Sequence, residues 1–110
     1  MATLQEMRSE SRPYHTDVRW FHSETVTDAT SEPLVLPALD RDTVAVTVVP
    51  GTDATLQITT SSYSDIEGDA AIWADWEDGA VTAATSRSVD ARVTALRLVS
   101  TGASAWEVTA

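Results

Sequence analysis

The chain has 110 residues, no cysteine, and 17 acidic against 7 basic residues, which gives a formal net charge of −10. A chain of this length predicts a single domain that buries a core without a disulfide or a structural metal. The missing cysteines exclude a thiol nucleophile and a Cys-based zinc site, and the acidic balance argues against a nucleic-acid partner.

The first 42 residues are weakly patterned. Residues 1–12 predict one helical turn or an extended arm, and their polar start does not match a signal peptide. Residues 14–32 predict one or two irregular strands, and the proline-bracketed residues 33–37 predict an edge strand or an extended connection. Because a polar segment of this kind cannot build its own core, we expect residues 1–32 to be ordered by another subunit. The anchors would be its arginines, which form bidentate pairs with carboxylates: Arg8, Arg12 and Arg19.

From Thr43 onward the sequence alternates as β-strands do. Val44, Val46 and Val48 fall on one face, and the dipeptide Pro50-Gly51 is a strong turn signal. The alternation then resumes, with Leu56 and Ile58 sharing one face. These features predict an antiparallel hairpin in which residues 44–49 pair with residues 55–60.

The remaining segments continue the pattern. Residues 61–69 are rich in Ser, Asp and Gly and predict a loop. Residues 70–77 predict a strand with Ile72, Ala74 and Trp76 on one face and Trp73 on the other. Asp78-Gly79 predicts a tight turn into a strand over residues 81–85.

Two further strands complete the chain. Residues 92–100 predict a strand that is covered on both faces, and Thr101-Gly102 predicts a turn into a last strand over residues 105–110. No apolar run is long enough to span a membrane. Turn signals every 8–12 residues predict an all-β domain, an antiparallel β-sandwich or jelly-roll-like fold. Its core would be residues 43–110, with residues 1–42 as an extended N-terminal arm and edge segment.

Two short motifs suggest metal ligands. In strands, His15 would lie on the same face as Asp17, and His22 on the same face as Glu24. Residues 65–69 alternate carboxylates with a glycine, as calcium loops do, but lack the EF-hand spacing. A polar N-terminal segment and a solvated turn explain both motifs better, so the prediction is no metal and no cofactor.

The sequence also argues against an enzyme. It contains no G-x-S-x-G elbow, and its four glycines are isolated, so no phosphate-binding loop is present. The carboxylate pairs Asp40/Asp42 and Asp75/Glu77 are expected on solvated faces, because nothing else in the sequence assembles a cleft around them.

The segment Trp73 to Gly79 is the most distinctive local feature. In a strand its two tryptophans point to opposite faces, so one fills the core and the other meets the outer face or another chain. The alternative is a sandwich whose outer face is covered by its own N-terminal segment. The candidate interface residues are therefore the N-terminal arginines and the larger aromatics: Arg8, Arg12, Arg19, Trp20, Phe21, Trp73 and Trp76.

Residues 44–110 resemble small structural proteins of tailed viruses, which are encoded among head and tail genes. The resemblance lies in a Thr-rich hairpin, the Trp-containing strand and turn at residues 70–79, VTALRL at residues 93–98, and AWEV at residues 105–108. It implies a capsid decoration (cement) protein and carries no catalytic residues.

On this resemblance we expect a virion structural protein, made in the host cytoplasm and placed on the capsid exterior, where it bridges capsid subunits. Its partners would be the major capsid protein or other virion subunits. We also expect the chain to form a homo-oligomer, either a trimer or a dimer, and to bind neither nucleic acid nor a membrane. The alternative is a tail, fibre or baseplate component that binds partner subunits or host glycans. A third class, a host-encoded carbohydrate-binding module, would need aromatic side chains aligned on one exposed face.

Overall fold

The computed structural model describes residues 3–11, 18–36, 43–90 and 92–110. These ranges contain ten strands and one short helix. In chain order they are β1 (Gln5–Glu6), β2 (Arg8–Ser11), β3 (Val18–Thr27), β4 (Leu34–Val35), β5 (Thr43–Val49), β6 (Asp53–Thr59), α1 (Tyr63–Glu67), β7 (Ala74–Val81), β8 (Thr85–Asp90), β9 (Ala95–Thr101) and β10 (Ala103–Thr109). Within the described ranges, no helix has the length and apolar character needed to cross a membrane.

The strands form two five-stranded sheets that pack face to face, which confirms the predicted all-β sandwich. Sheet A has the order β1-β4-β9-β6-β7, and sheet B has the order β2-β3-β10-β5-β8. The pairings are antiparallel except for the short parallel pair of β1 and β4. The middle strands, β9 in sheet A and β10 in sheet B, therefore each have a neighbour on both sides.

Alternation along the strands builds one core between the sheets. Val46 of β5 lies opposite Val108 of β10 in sheet B, and Leu56 of β6 lies opposite Leu98 of β9 in sheet A. All four side chains are fully buried, as is Trp106. Burying one such aliphatic side chain stabilises the fold by about 1.5–3 kcal/mol relative to leaving it exposed. The inner faces of β5, β6, β9 and β10 therefore carry most of the apolar packing.

The predicted hairpin of residues 44–49 with residues 55–60 is wrong. β5 belongs to sheet B and pairs with β8 and β10, whereas β6 belongs to sheet A and pairs with β7 and β9. Residues 50–52 are thus a crossover from one sheet to the other. A hairpin and a crossover use the same turn residues and the same alternation. They differ only in the strands that lie beside them, and in this chain those strands all come from later in the sequence.

Three crossovers between the sheets meet at one end of the sandwich, which we call the crossover end. The chain crosses after β3 at Asp28, between β5 and β6 at Gly51, and between β9 and β10 at Gly102. The amide of Gly102 donates to Asp28 Oδ1 at 2.7 Å, and the amide of Gly51 donates to Ser104 Oγ at 3.0 Å. Ser100 Oγ bonds to Ser104 Oγ at 2.8 Å and donates to the Val26 carbonyl at 2.8 Å. This polar network ties the three crossovers to one another.

The two crossover glycines are required by geometry. A Cβ at Gly51 would lie 2.5 Å from the backbone nitrogen of Ala103, so the two crossovers touch through their backbones. Gly102 has a φ of +77°, in the left-handed region that favours glycine. Any larger residue at either position would push the crossovers apart or strain them.

The predicted loop over residues 61–69 contains α1. Ser62 caps this helix, because its Oγ accepts from the amide of Asp65 at 3.3 Å, and Ile66 is buried beneath it. The Ser- and Asp-rich composition was therefore the signal of an N-terminal helix cap as well as of a turn.

The predicted turn at Asp78-Gly79 is also wrong, because both residues lie within β7. The pairing of β6 with β7 shifts register between Thr55 and Gln57, which leaves a bulge in β7. Gly79 adopts a φ of +60°, and Trp76 Nε1 donates to its carbonyl at 2.9 Å. The chain instead crosses to sheet B over residues 82–84.

The predicted shared face of Ile72 and Trp76 fails for a related reason. Ile72 is 82% exposed and Trp76 only 6% exposed, since regular strand structure begins only at Ala74. A period of two cannot be carried back across a strand end.

The described residues before Thr43 are part of both sheets. β2 and β3 pair in antiparallel fashion, and the backbones of Trp20 and Ala110 exchange two hydrogen bonds of 3.0 Å. Leu34 and Met7 are buried in the core. The sandwich therefore draws strands from both sides of residue 43. These contacts of residues 3–11 and 18–32 lie within the chain, and the intersubunit role of residues 1–32 stays a prediction.

Candidate interaction surfaces

The outward side chains of β3, β5 and β10 define the first candidate surface, which we call the sheet B outer face. Its positions alternate with buried residues of the same strands, such as Val26, Val46 and Trp106. They are Arg19, Phe21, Ser23, Thr25, Thr27, Thr43, Ala45, Thr47, Val49, Ala103, Ala105, Glu107 and Thr109. Arg19 and Glu107 are the two charged residues among these thirteen, and Glu107 is the one carboxylate, in a chain with 17 acidic residues.

Charge returns at the margins of this surface. Arg8 and Glu10 lie on β2, with the Arg8 Nε atom 3.5 Å from Glu10 Oε1. Arg19 on β3 is paired in register with Glu10. Asp90 ends β8 at the opposite margin and is bound by Arg92, whose Nη2 lies 2.7 Å from Asp90 Oδ2. Few charges at the centre of a face and a polar, charged rim are features of protein-binding surfaces.

The second candidate surface is a groove on the outer side of sheet A, which we call the Trp73 groove. It encloses a cavity of about 410 Å³ between the strand-like segment before β4 and the segment that follows α1. Its walls and floor include Ser31, Glu32, Ile66, Asp69, Trp73 and Arg97. This volume lies within the range of about 300–1,000 Å³ that is usual for small-molecule sites.

A row of polar side chains across sheet A fixes the floor of the groove. Arg97 of β9, Gln57 of β6 and Asp75 of β7 lie side by side in register. Arg97 Nε donates to Gln57 Oε1 at 2.7 Å, and Gln57 Nε2 donates to Asp75 Oδ1 at 3.0 Å. The guanidinium carbon of Arg97 lies 4.2 Å from the ring centroid of Trp73, a cation–π contact. The Trp73 groove therefore has a cation whose position is set from two sides.

Burial lowers the pKa of Arg97, and the nearby negative charge of Asp69 partly offsets this. The direction shows that the guanidinium is partly removed from water. Arg97 stays protonated, since its ordinary pKa is far above neutrality. A partly desolvated cation in a cavity is a feature of binding sites as well as of structural ion pairs.

A third polar cluster lies between the sheets. Glu24 Oε1 accepts from Gln5 Nε2 at 2.9 Å and from Trp106 Nε1 at 2.9 Å, and it lies 3.2 Å from His22 Nε2. The edge of the His22 ring contacts the Trp106 ring, with centroids 5.4 Å apart. Because one carboxylate oxygen meets three nitrogen atoms, this cluster is satisfied internally and has a structural role.

The two predicted metal motifs do not form a metal site among the described residues. His22 and Glu24 do share a face, as predicted, whereas His15 and Asp17 lie outside the described residues. Asp65 and Glu67 belong to α1, and Asp69 follows it. Across the described ranges, His, Cys, Asp and Glu side chains form no group of three or more that could hold a metal ion.

The seven predicted interface residues do not come together in one place. Arg8, Arg19 and Phe21 lie on the outer side of sheet B or at its margin, and Arg12 lies outside the described residues. Trp20 packs against the core from the inner side, and Trp76 is part of the core. Trp73 lies on the other sheet, in its groove. The expectation that one tryptophan of the pair fills the core and the other faces outward is therefore confirmed.

The predicted site residues did not include Arg97, which organises the Trp73 groove, or Ser100 and Ser104, which tie the crossovers together. Arg97 is a lone charge between the buried Leu96 and Leu98, and this position was the available signal for an ordered polar row. Ser100 and Ser104 are buried polar residues in apolar strands, and they were equally visible. Comparison of the chain with protein-family models, with curated proteins and with solved structures finds no match in any of the three.

Proposed function

We propose that this chain is a structural protein of a virion, a capsid decoration protein that binds the assembled shell through the sheet B outer face. The observation that supports this is that the face carries one carboxylate, Glu107, on a chain with a formal net charge of −10. A solvated sheet face in such a chain is expected to carry several carboxylates, as the outer side of sheet A does at Asp53 and Asp75. Depletion of charge at the centre of a surface is the compositional sign of an interface.

The size of sheet B is compatible with this role. Its five strands, about 4.8 Å apart and each about seven residues long at 3.3 Å per residue, cover roughly 500 Å² in projection, and the three strands of the face make up about three fifths of that area. A standard interface buries roughly 800 Å² per partner, so docking would use the margins on β2 and β8 as well as the face itself. Val49 is 50% exposed at this surface, so its burial by a partner would add apolar area.

The charge distribution sets the orientation on the shell. Carboxylates concentrate on the sheet A side of the sandwich, at Glu32, Asp53, Asp65, Glu67, Asp69 and Asp75. If sheet B faces the shell, these groups point to solvent. They then keep neighbouring decorated particles apart by like-charge repulsion.

The test uses virus heads purified without the protein, to which the full chain is added while bound copies per particle are measured. Ala105→Arg places a charge at the centre of the sheet B outer face, and Thr55→Arg is its matched control on the outer side of sheet A. We expect both variants to keep the wild-type melting temperature to within a few degrees. Ala105→Arg should lose at least tenfold in affinity, and Thr55→Arg should retain it.

Two failures can be told apart. If the wild-type chain does not bind such heads, and mass spectrometry does not detect it in purified virions, the virion role is rejected. If the wild type binds and Ala105→Arg binds equally well, the virion role stands and the sheet B outer face is not the docking surface. Light scattering of the free chain at the concentrations used reports whether a dimer or trimer forms first.

A further inference from the structure

We propose that the Trp73 groove is a binding site for a neutral pyranose sugar, independent of any role for the sheet B outer face. The proposal rests on three kinds of group that converge on one cavity. These are the indole of Trp73, the guanidinium of Arg97 and the carboxylates of Asp69 and Glu32. A pyranose ring offers an apolar C–H face together with hydroxyl groups that both donate and accept hydrogen bonds.

The walls of the groove are held in place by hydrogen bonds within the chain. After α1, the amide of Ala70 donates to the Asp65 carbonyl at 2.7 Å, and the amide of Ile72 donates to Ser61 Oγ at 3.0 Å. Thr59 Oγ1 donates to the Ile72 carbonyl at 2.8 Å. The segment that carries Trp73 is therefore fastened to α1 at its start and to β6 of sheet A, through Thr59, close to Trp73 itself. A preformed cavity binds at a lower entropic cost than one that must be ordered by its ligand.

The opposite wall is fastened as well. Ser31 Oγ accepts from the amide of Leu98 at 2.9 Å, and Glu32 Oε2 accepts from the amide of Thr3 at 3.1 Å. These bonds join the wall to the middle strand of sheet A and to the segment before β1. The cavity is therefore bounded on both sides by fixed backbone.

Arg97 presents hydrogen-bond donors in a fixed direction. Its Nε is bonded to Gln57, and its guanidinium stacks on the ring of Trp73. These two contacts hold the guanidinium plane, so the orientation of the Nη groups is set as well. A guanidinium carries five N–H donors, and the bond to Gln57 uses one of them. A ligand oxygen that accepts from the Nη groups would meet donors that are already partly withdrawn from water.

The charge of the groove selects among ligands. Asp69 and Glu32 line the same cavity as the cation Arg97, and the chain as a whole is strongly acidic, so phosphates and polyanions are repelled. A purely apolar ligand would cover these charged groups without offering them a hydrogen bond. A neutral sugar meets both requirements, because its hydroxyls donate to carboxylate oxygens and accept from Arg97.

The experiment follows the side-chain N–H signals of Trp73 and Arg97 by NMR while the ¹⁵N-labelled full chain is titrated. The probes are methyl glucoside, methyl galactoside, methyl mannoside and N-acetylglucosamine, with glucuronic acid and inorganic phosphate as charged comparisons. We expect saturable shifts confined to the groove for at least one neutral sugar, with a Kd on the order of 1 mM. Arg97→Lys keeps the charge but loses the planar fork and should weaken binding at least fivefold, and Trp73→Ala should abolish it.

Arg8→Ala, which removes an exposed arginine at the margin of sheet B, is the matched control and should bind as the wild type does. Because the wild-type titration is itself decisive, a variant that fails to fold does not protect the proposal. The absence of saturable shifts for every neutral sugar at about 100 mM would overturn it. So would binding of phosphate or glucuronic acid alone, which would make the groove an anion site.

Discussion

The outer faces of the two sheets arise from the same alternation of inward and outward residues, and yet one is covered by further chain and the other is open. Outside sheet A the chain adds a helix, a folded-back segment and a polar row, and these enclose the Trp73 groove. Outside sheet B the described chain adds nothing, and the thirteen outward positions of its three middle strands carry mostly small side chains with two charges. Folding requires only that the inner faces be sealed, so neither outer arrangement is needed for the core.

The comparison shows two ways in which the outer face of a β-sandwich can become a binding surface. Sheet A gains a concave, charged surface that suits a small polar molecule, whereas sheet B presents an even surface that suits another large one. A substitution of the same kind on the two faces should therefore have different consequences for the free energy of unfolding. This difference can be measured by making comparable substitutions on the two sheets and comparing the changes in the free energy of unfolding.

The largest effect on the free energy of unfolding is expected when aspartate is placed on the inner side of sheet B and compared with aspartate on its outer side. Val46 is fully buried, and its neighbour Ala45 on the same strand is exposed on the outer face. Val46→Asp buries an unpaired charge and should lower the free energy of unfolding by at least about 4 kcal/mol. Ala45→Asp should change it by no more than about 1 kcal/mol, the spread of strand propensities. Urea denaturation measures both, and a wild-type midpoint for Val46→Asp would contradict the burial of the Val46 face of β5.

The next comparison makes the same substitution on each outer face. Thr59 outside sheet A is buried, donates to the Ile72 carbonyl and accepts from the amide of Ser61 at 3.1 Å. Thr47 outside sheet B is only partly buried and bonds to the hydroxyl of Ser86. Thr59→Val should lower the free energy of unfolding by about 1–3 kcal/mol, because buried groups lose their partners. Thr47→Val should change it by no more than about 0.5 kcal/mol, and equal effects would show that the faces do not differ in this way.

Removing one arginine from each sheet should give a smaller difference in the free energy of unfolding. Arg97→Ala removes a stack on Trp73 and a hydrogen bond to Gln57, and we expect it to lower the free energy of unfolding by about 1–2 kcal/mol. Arg8→Ala at the margin of sheet B removes an exposed pair with Glu10 and should have an effect below about 0.5 kcal/mol. Thermal unfolding of both variants at the same pH and salt distinguishes them. A larger loss of stability for Arg8→Ala than for Arg97→Ala would contradict the ordered polar row on sheet A.

The smallest effect concerns pH at the margin of sheet B. Hydrogen bonds from the side chain and backbone of Arg92 lower the pKa of Asp90 from its ordinary 3.8 to about 2. A depressed pKa in the folded state means that this pair stabilises the fold above pH 3.8 and that its contribution is lost as the pH falls toward 2. The carboxyl signal of Asp90 should titrate near pH 2, and Asp90→Asn should make unfolding less dependent on pH in this window. A titration midpoint near 3.8 would show that the pair does not form.

The fold class was predictable, because alternation and turn spacing depend on local sequence alone. The sheet partners were not, since the same Pro50-Gly51 turn serves a hairpin or a crossover and distant strands decide between them. The bulge at Gly79 was hidden for a similar reason, because an Asp-Gly pair marks a turn and a bulge equally well. The N-terminal segment lacked clear alternation because the inner face of β3 carries His22 and Glu24. Glu24 accepts from Gln5 and Trp106 and also bonds to His22.

The surfaces were predictable only in part. Trp73 was expected to face outward, but its partner Arg97 lies on a strand that begins more than 20 residues later, so no local pattern joins them. The low charge of the sheet B outer face was present in the sequence. It could be recognised as one surface only when β3, β5 and β10 were known to be neighbours.

The position of β9 and β10 in the middle of the two sheets has a consequence for how the chain is made. These are the last two strands along the described chain, and all pairing between the remaining strands is limited to β1 with β4, β2 with β3, β5 with β8 and β6 with β7. A two-stranded ladder is at best marginally stable in water. Before residues 95–109 have been synthesised, the nascent chain can therefore form only four separate strand pairs, and the middle strand of each sheet is missing. Both sheets, and the core between them, can close only after those residues have emerged.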